Sequence, residues 1–144
     1  MRMISTLAMT VIGAGLIAAP AWAASAAKKI SVDLSSKNEV TPNDSKGTGK
    51  ADLTYDAATK VLTWHVTTKD LTGEPIAAHL HGPAEAGANA GVMVNFAAGG
   101  MKMPLDGTAT LTDEQAAAFT GGKTYINVHT PTNKGGEIRG QVKP

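Results

Sequence analysis

The sequence predicts an all-β domain: an antiparallel β-sandwich or a Greek-key barrel, with one short helix. Short segments in which apolar and polar side chains alternate recur along the chain, and clusters of Gly, Pro, Asn and Asp separate them. Only one segment, near residue 113, has the pattern of a helix start instead. Several closely spaced strands with a single brief helix are typical of sandwiches and Greek-key barrels.

The N-terminal segment has the features of a secretory signal peptide. Arg2 is followed by an uncharged apolar run over about residues 4–19 and by the small-residue pattern AWA, which ends at Ala23. Two glycines and a proline interrupt the run, which is also short for a membrane span, so cleavage is favoured over an uncleaved anchor. We expect residues 1–23 to be removed, leaving residues 24–144 as a single domain in the periplasm or outside the cell, with no membrane span.

Charge and cysteine content exclude several functions. The chain has 13 basic and 12 acidic residues, and Arg2 is the only charged residue of the signal segment, so the formal net charge of the mature part is zero. A neutral chain has no electrostatic attraction for nucleic acid. The chain contains no cysteine, which excludes thiolate chemistry and thiolate metal ligands and leaves side-chain packing as the source of stability.

Alternation predicts seven or eight strands. A first strand surrounds Val32, the sharpest alternation (residues 51–55 and 62–67) predicts a β-hairpin, and further strands follow at about 76–81, 92–96, 105–111, 125–130 and 138–142. Thr112 and Gln115 match a capping box that opens a two-turn helix near Asp113. The inward positions of these elements predict a core that includes Leu53, Tyr55, Leu62, Trp64, Leu80, Ile126 and Val128.

All four histidines, His65, His79, His81 and His129, fall on predicted strands. His79 and His81 are two residues apart, so they project from one face of a strand with Cα atoms roughly 6.5 Å apart, a separation that two imidazoles can bridge to one ion. If Val66 pairs with Ala78, His65 faces His79 and joins the same group. His129 joins it only if its strand lies nearby.

The pattern allows two interpretations of these histidines. As metal ligands, His79, His81 and His129 would hold the ion and His65 would complete the shell more weakly, whereas in the alternative all are solvated side chains of a polar strand face. Copper is preferred over zinc because Met93, Met101 and Met103 offer thioethers that suit Cu(I), although methionine also serves as core filler. Asn127, Glu137 and Arg139 can lie beside the site. Alternatively, Glu137 and Arg139 can form a surface ion pair on an edge strand.

Two segments carry a resemblance to a known family. AAHLHGPAEAGANAGVMVNF (77–96) and GGKTYINVHTPTNKGGEIRGQV (121–142) closely resemble the CHRD domain, which is named from chordin and is common in exported bacterial proteins. The resemblance covers about residues 30–142 and implies a β-rich, immunoglobulin-like fold without a defined biochemical activity. The motif positions that it identifies are His79, His81, Gly82, Pro83, Asn127, His129, Gly135, Glu137, Arg139 and Gly140. His65 lies outside the motif.

A fainter similarity is to copper–zinc superoxide dismutases, which also place an HxH strand pair, a later histidine and a C-terminal arginine on a Greek-key barrel. The matching positions here are His79, His81, His129 and Arg139. The chain lacks the disulfide, and no histidine lies between His81 and His129, so the bridging ligand and the zinc loop are missing. The similarity implies a copper-only site on a related scaffold. A non-enzymatic role is favoured, and dismutase-like chemistry is the main enzymatic alternative.

Three functions follow from these observations. The first is an exported metal-binding protein with a copper ion, or alternatively zinc, in the histidine cluster. The second is a non-catalytic adhesion or interaction module in which the motif residues are structural; no protein partner is identified. A hydrolase has little support, because the chain has neither a Gly-x-Ser-x-Gly elbow nor a cysteine nucleophile.

Overall fold

The computed structural model describes residues 26–144. The predicted signal peptide, residues 1–23, lies outside the described residues. Within them, no helix is both long enough and apolar enough to cross a membrane.

The described residues form eight strands and one α-helix, in agreement with the all-β prediction. The strands are β1 (Lys28–Ser35), β2 (Thr48–Asp56), β3 (Val61–Lys69), β4 (Ala77–His81), β5 (Val92–Asn95), β6 (Leu105–Thr110), β7 (Tyr125–His129) and β8 (Ile138–Gln141). A 3₁₀ turn, Ser36–Asn38, follows β1, and the helix α1 spans Asp113–Thr120.

All eight strands belong to one sheet, in the order β5-β4-β7-β8-β1-β2-β3-β6. Every neighbouring pair is antiparallel. The sheet curls round a single hydrophobic core to which seven of the strands contribute buried side chains. Of the two predicted architectures, the structure therefore has the nearly closed, barrel-like one rather than two separate layers.

The inner face of the sheet carries the predicted core. Trp64 of β3 stacks on Phe96, which follows β5, with ring centroids 4.3 Å apart, so the two halves of the sheet meet across the interior. All seven predicted core residues are buried: Leu53, Tyr55, Leu62, Trp64, Leu80, Ile126 and Val128. The predicted phase of these strands is confirmed.

Helix α1 begins as its sequence predicts. The Thr112 hydroxyl accepts a hydrogen bond from the Gln115 backbone N–H at 3.2 Å, and the Gln115 side-chain oxygen accepts one from the Thr112 N–H at 3.0 Å. The helix buries Phe119 against Tyr55, with ring centroids 4.9 Å apart. The capping box therefore fixes where the helix begins, and the Phe119–Tyr55 contact packs the helix against the core.

The expected pairing of β3 with β4 is wrong. β3 pairs with β2 and β6, whereas β4 pairs with β5 and β7. The expected pairing rested on matching apolar residues across two strands, and in an alternating protein many strand pairs satisfy that match. As a result, His65 faces Asp52 and Asp106 instead of His79.

Candidate metal centre

Three histidines converge on the outer face of the β4–β7 pair. The register sets Ala77 opposite His129 and His79 opposite Asn127, so His79, His81 and His129 all project from the same face. One ring nitrogen from each lies within 4.8 Å of the others. The expected approach of His129 to the HxH pair is confirmed.

The rings are arranged around a common space. The His79 Nδ1 and His129 Nε2 atoms are 3.2 Å apart, and the centroids of the His79 and His81 rings are 5.4 Å apart. Metal–nitrogen distances of roughly 2.0–2.1 Å place ligand nitrogens about 3–4 Å from each other. Small rotamer changes therefore suffice for one ion to contact all three rings.

Backbone carbonyls hold two of the three rings in a defined tautomer. His81 Nδ1 donates to the Ala90 carbonyl at 2.9 Å, and His129 Nδ1 donates to the Lys134 carbonyl at 2.9 Å. Since a carbonyl can only accept, these nitrogens carry the protons, and the Nε2 atom of each ring keeps its lone pair. Carbonyl-bound imidazoles of this kind are the usual arrangement of metal-ligating histidines.

The donor set fits a metal ion in one further respect. The Nε2 atom of His81 is buried and has no hydrogen-bond partner among the described residues. An unpaired buried acceptor costs free energy, and a metal ion would satisfy it. The group has three imidazole nitrogen donors and includes no carboxylate.

Burial favours the neutral, ligating form of these imidazoles. It lowers the pKa of His79, and the neighbouring His129 and His81 lower it further. Burial also lowers the pKa of His129, although the hydrogen bond to the Lys134 carbonyl opposes this effect. Both rings are therefore neutral at neutral pH, as a metal ligand must be.

The His81 ring stacks on Tyr125, which in turn stacks on Arg139. The Tyr125 ring lies parallel to the His81 ring, with centroids 4.8 Å apart and 2° between the planes, and the Arg139 guanidinium carbon lies 3.4 Å from the Tyr125 centroid. Arg139 also donates to the Asn89 side chain at 2.8 Å and to the Ala88 carbonyl at 2.6 Å. It thereby holds the 82–91 loop, which carries the Ala90 carbonyl, over the site.

Glu137 anchors the loop 130–136, which carries the Lys134 carbonyl on the other side of the site. Its buried carboxylate accepts hydrogen bonds from the Thr72 N–H and hydroxyl and from the Ser45 and Thr130 hydroxyls. Burial by itself raises the pKa of Glu137, but these hydrogen bonds outweigh it and lower the pKa to about 2. Glu137 is thus ionised and fixes Thr130, the residue after His129.

The alternative of a surface ion pair between Glu137 and Arg139 is wrong. β8 lies inside the sheet between β7 and β1, and both side chains are buried. The two residues bind separate loops and form no ion pair with each other. The two-residue spacing of Glu137 and Arg139 correctly indicates that they lie on the same side of the chain. Their burial depends on loops that cover the outer face of the sheet, which alternation does not predict.

Asn127 lies beneath the cluster, opposite His79 on one side and Arg139 on the other. It is buried, and its Oδ1 atom has no partner among the described residues. Burial raises the pKa of Glu39 to about 7, against the opposing effects of the Arg139 charge and the Asn127 side chain. Sequence reasoning missed Glu39, because a single acid in a polar segment after β1 carries no periodic or motif signal.

His65, Met101 and Met103 lie apart from the three-histidine group, whereas the Met93 sulfur lies close to Gly82, the residue after His81. His65 Nδ1 contacts the Asp106 carboxylate at 2.6 Å on an exposed part of the sheet. Met101 and Met103 pack against the hydrophobic core. The group that can hold an ion consists of His79, His81 and His129.

These features define a class of protein: a small all-β domain with three imidazoles on one sheet face, held by two loops. The family model of the CHRD domain matches residues 30–142, so the chain belongs to the CHRD domain family. The matched residues include the whole histidine group and both loops. No curated protein and no solved structure matches the chain.

Proposed function

We propose that this CHRD domain is an exported metal-binding protein in which His79, His81 and His129 hold a copper ion, with zinc as the alternative. One observation carries the proposal. Two imidazoles are hydrogen-bonded through Nδ1 to loop carbonyls, which leaves their Nε2 atoms unprotonated, and one nitrogen from each of the three rings lies within 4.8 Å of the others. Surface histidines without a ligand have no need of this arrangement.

The expected ligand atoms are His81 Nε2, His129 Nε2 and His79 Nδ1. His79 Nδ1 lies 3.2 Å from His129 Nε2, and since the latter keeps its lone pair, the proton between them belongs to His79. An ion would replace this proton, which His79 can then carry on its other nitrogen. The partial exposure of His79 gives the ion a route into the site.

Copper is preferred because of the donor chemistry. Three imidazoles without a carboxylate or thiolate suit copper and zinc, and a given nitrogen site binds Cu²⁺ more tightly than Zn²⁺ among divalent ions. The small-residue and apolar pattern of residues 1–23 supports export, to a compartment where the protein would meet free metal ions.

The test is stoichiometric metal analysis of protein purified without an affinity tag, followed by copper and zinc titrations. We expect one ion per chain, and we expect His79→Ala and His129→Ala each to lose tight binding. His65→Ala is the matched control: because His65 lies outside the group, its variant should bind as the wild type does. The predicted pairing that made His65 a weaker ligand is not formed, so His65 is not part of the proposed site.

The second candidate, a non-catalytic interaction module, is favoured by one observation. Glu137 and Arg139 of the family motif are buried and hold loops in place, which is a structural role. Copper affinity that is unchanged in the His79 and His129 variants would favour this candidate over metal binding.

A further inference from the structure

Arg139 is a buried cation without an ion-pair partner. Only 1% of its surface is exposed, and no carboxylate of residues 26–144 forms a salt bridge with it. Its direct partners are neutral: the Asn89 amide oxygen, the Ala88 carbonyl and the face of the Tyr125 ring. The Glu39 carboxylate also feels the Arg139 charge, but burial raises the pKa of Glu39 to about 7, so it offsets that charge only in part at neutral pH. Buried charges are usually paired. Because this one has no ion-pair partner, its electric field acts on neighbouring groups.

The nearest part of the histidine group is His81. Tyr125 is sandwiched between the Arg139 guanidinium and the His81 ring, so only one aromatic ring separates the charge from a predicted metal ligand. The Tyr125 ring lies between them, and both side chains are hydrogen-bonded to carbonyls of the 82–91 loop. A charge in such surroundings is screened much less than one in water.

The predicted ligands do not offset this charge. All three are imidazoles that must be neutral to bind, and the chain has no cysteine that could add a thiolate. A bound ion therefore keeps its full charge, and its repulsion from Arg139 is twice as large for a dication as for a monocation.

Resting on the proposed function, we propose that the buried Arg139 charge, acting through the Tyr125–His81 stack, makes the three-histidine site selective for Cu(I) over Cu(II) and Zn(II). Arg139 is a positioning and electrostatic residue here and does not touch the ion. Three nitrogen donors and a monovalent ion leave the smallest total charge in the site. The cargo is accordingly reduced copper.

The experiment measures copper affinity in both oxidation states, by competition with a Cu(I)-selective chelator under anaerobic reducing conditions and with a Cu(II)-selective chelator in air. The variable of interest is the ratio of the two affinities. Arg139→Gln removes the charge and keeps a hydrogen-bond donor, and we expect it to lower the preference for Cu(I) by about tenfold, the effect of one unit charge at this range in a partly screened interior. Arg139→Lys keeps the charge and should keep the preference.

A second pair of variants leaves Arg139 in place. Asn89→Asp puts a carboxylate against the guanidinium at an existing 2.8 Å contact, so it should shift the ratio in the same direction as Arg139→Gln, by about threefold because position 89 is exposed to solvent. Asn89→Ala loses the same hydrogen bond without adding charge, and its ratio should equal that of the wild type. This pair keeps the test informative if Arg139→Gln does not fold.

The outcomes separate the two proposals. A wild-type protein that binds neither copper ion nor zinc overturns the proposed function, and one that binds zinc alone overturns the preference for copper and the role of Arg139. A protein that binds both copper ions, with the same ratio in Arg139→Gln and Asn89→Asp as in the wild type, overturns only the role of Arg139. A merely structural role would weaken both affinities together and leave the ratio unchanged.

Discussion

At the scale of single residues, hydrogen bonds to buried polar groups decide which chemistry is possible. The Ala90 and Lys134 carbonyls hold a proton on one nitrogen of His81 and of His129, which leaves the other nitrogen free to ligate. In the same way, hydroxyl and amide donors keep Glu137 ionised although it is buried. Each of these effects can be measured through its pH dependence.

Glu137 should contribute stability that depends on pH. Its folded-state pKa is lowered from 4.5 to about 2, so its contribution is fully present above pH 4.5 and is lost as the pH falls toward 2. We expect Glu137→Gln to lower the free energy of unfolding at pH 7 by about 2–4 kcal/mol, since a charged hydrogen-bond acceptor is lost from several donors. Chemical denaturation of both proteins at pH 7, 4.5 and 2.5 measures this difference in the free energy of unfolding.

The exposed Glu74→Gln variant is the control for Glu137→Gln and should unfold as the wild type does. A difference between Glu137→Gln and the wild type that stays constant from pH 4.5 to 2.5 would contradict the assignment of this carboxylate.

Copper affinity should fall in acid, but only at lower pH than for an ordinary histidine site. Because burial lowers the pKa of His79 and His129 below 6.5, protons compete with the ion for these two ligands mainly below that pH. Titrations at pH 7.5, 6.5 and 5.0 should show a smaller loss of affinity between the first two values than between the second and the third. A loss already complete at pH 6.5 would mean that the histidines are not desolvated.

At the scale of elements, the close approach of β3 and β6 determines how the aromatic side chains of the core pack. β3 pairs with β6 such that Trp64 lies opposite Gly107, and a Cβ on Gly107 would overlap the indole ring. The stack of Trp64 on Phe96 leaves the indole no free space to move into. A glycine in the middle of β6 is thus required by a close approach between strands.

Gly107→Ala should therefore destabilise the protein by about 1–3 kcal/mol, the usual cost of forcing an extra methyl group into a packed core. Chemical denaturation followed by tryptophan fluorescence gives both the stability and the environment of Trp64. Gly99→Ala, at a position with no atom within 4 Å of the new methyl group, is the matched control and should change stability little. Equal stability of the two variants would show that the Trp64–Gly107 contact is wrong.

At the scale of the whole molecule, the fold separates stability from binding. The hydrophobic core lies on the inner face of the curled sheet, while the histidine group lies on the outer face beneath two loops. An ion at that site would stabilise the protein only as a ligand that prefers the folded state.

We expect His79→Ala and His129→Ala to leave the metal-free melting temperature nearly unchanged. Copper at about a hundred times its Kd should raise the stability of the wild type by roughly 2.7 kcal/mol and that of the variants by far less. Melting each protein with and without copper measures both effects. A large loss of stability in the metal-free variants would mean that the histidines are structural.

Local patterns in the sequence predict much of this protein's structure. Alternation placed the core residues from Leu53 to Val128, Thr112 and Gln115 predicted the start of the helix, and the HxH spacing put His79 and His81 on one face. These features are local: they depend on the two-residue period of a strand or on a single helical turn. The motif residues also identified the family over the same range as its model.

Which strands are neighbours depends on tertiary contacts that these local patterns do not specify. The period of a strand assigns its faces but not its partners, so the expected β3–β4 pairing failed and the β4–β7 pairing that brings in His129 was left open. The same non-local contacts separate His65 from the group, bury Glu137 and Arg139 beneath loops, and aim the Ala90 and Lys134 carbonyls at the imidazoles. The physical reason is that pairing and loop closure join residues far apart in the chain, where no local pattern specifies which of several compatible partners will meet.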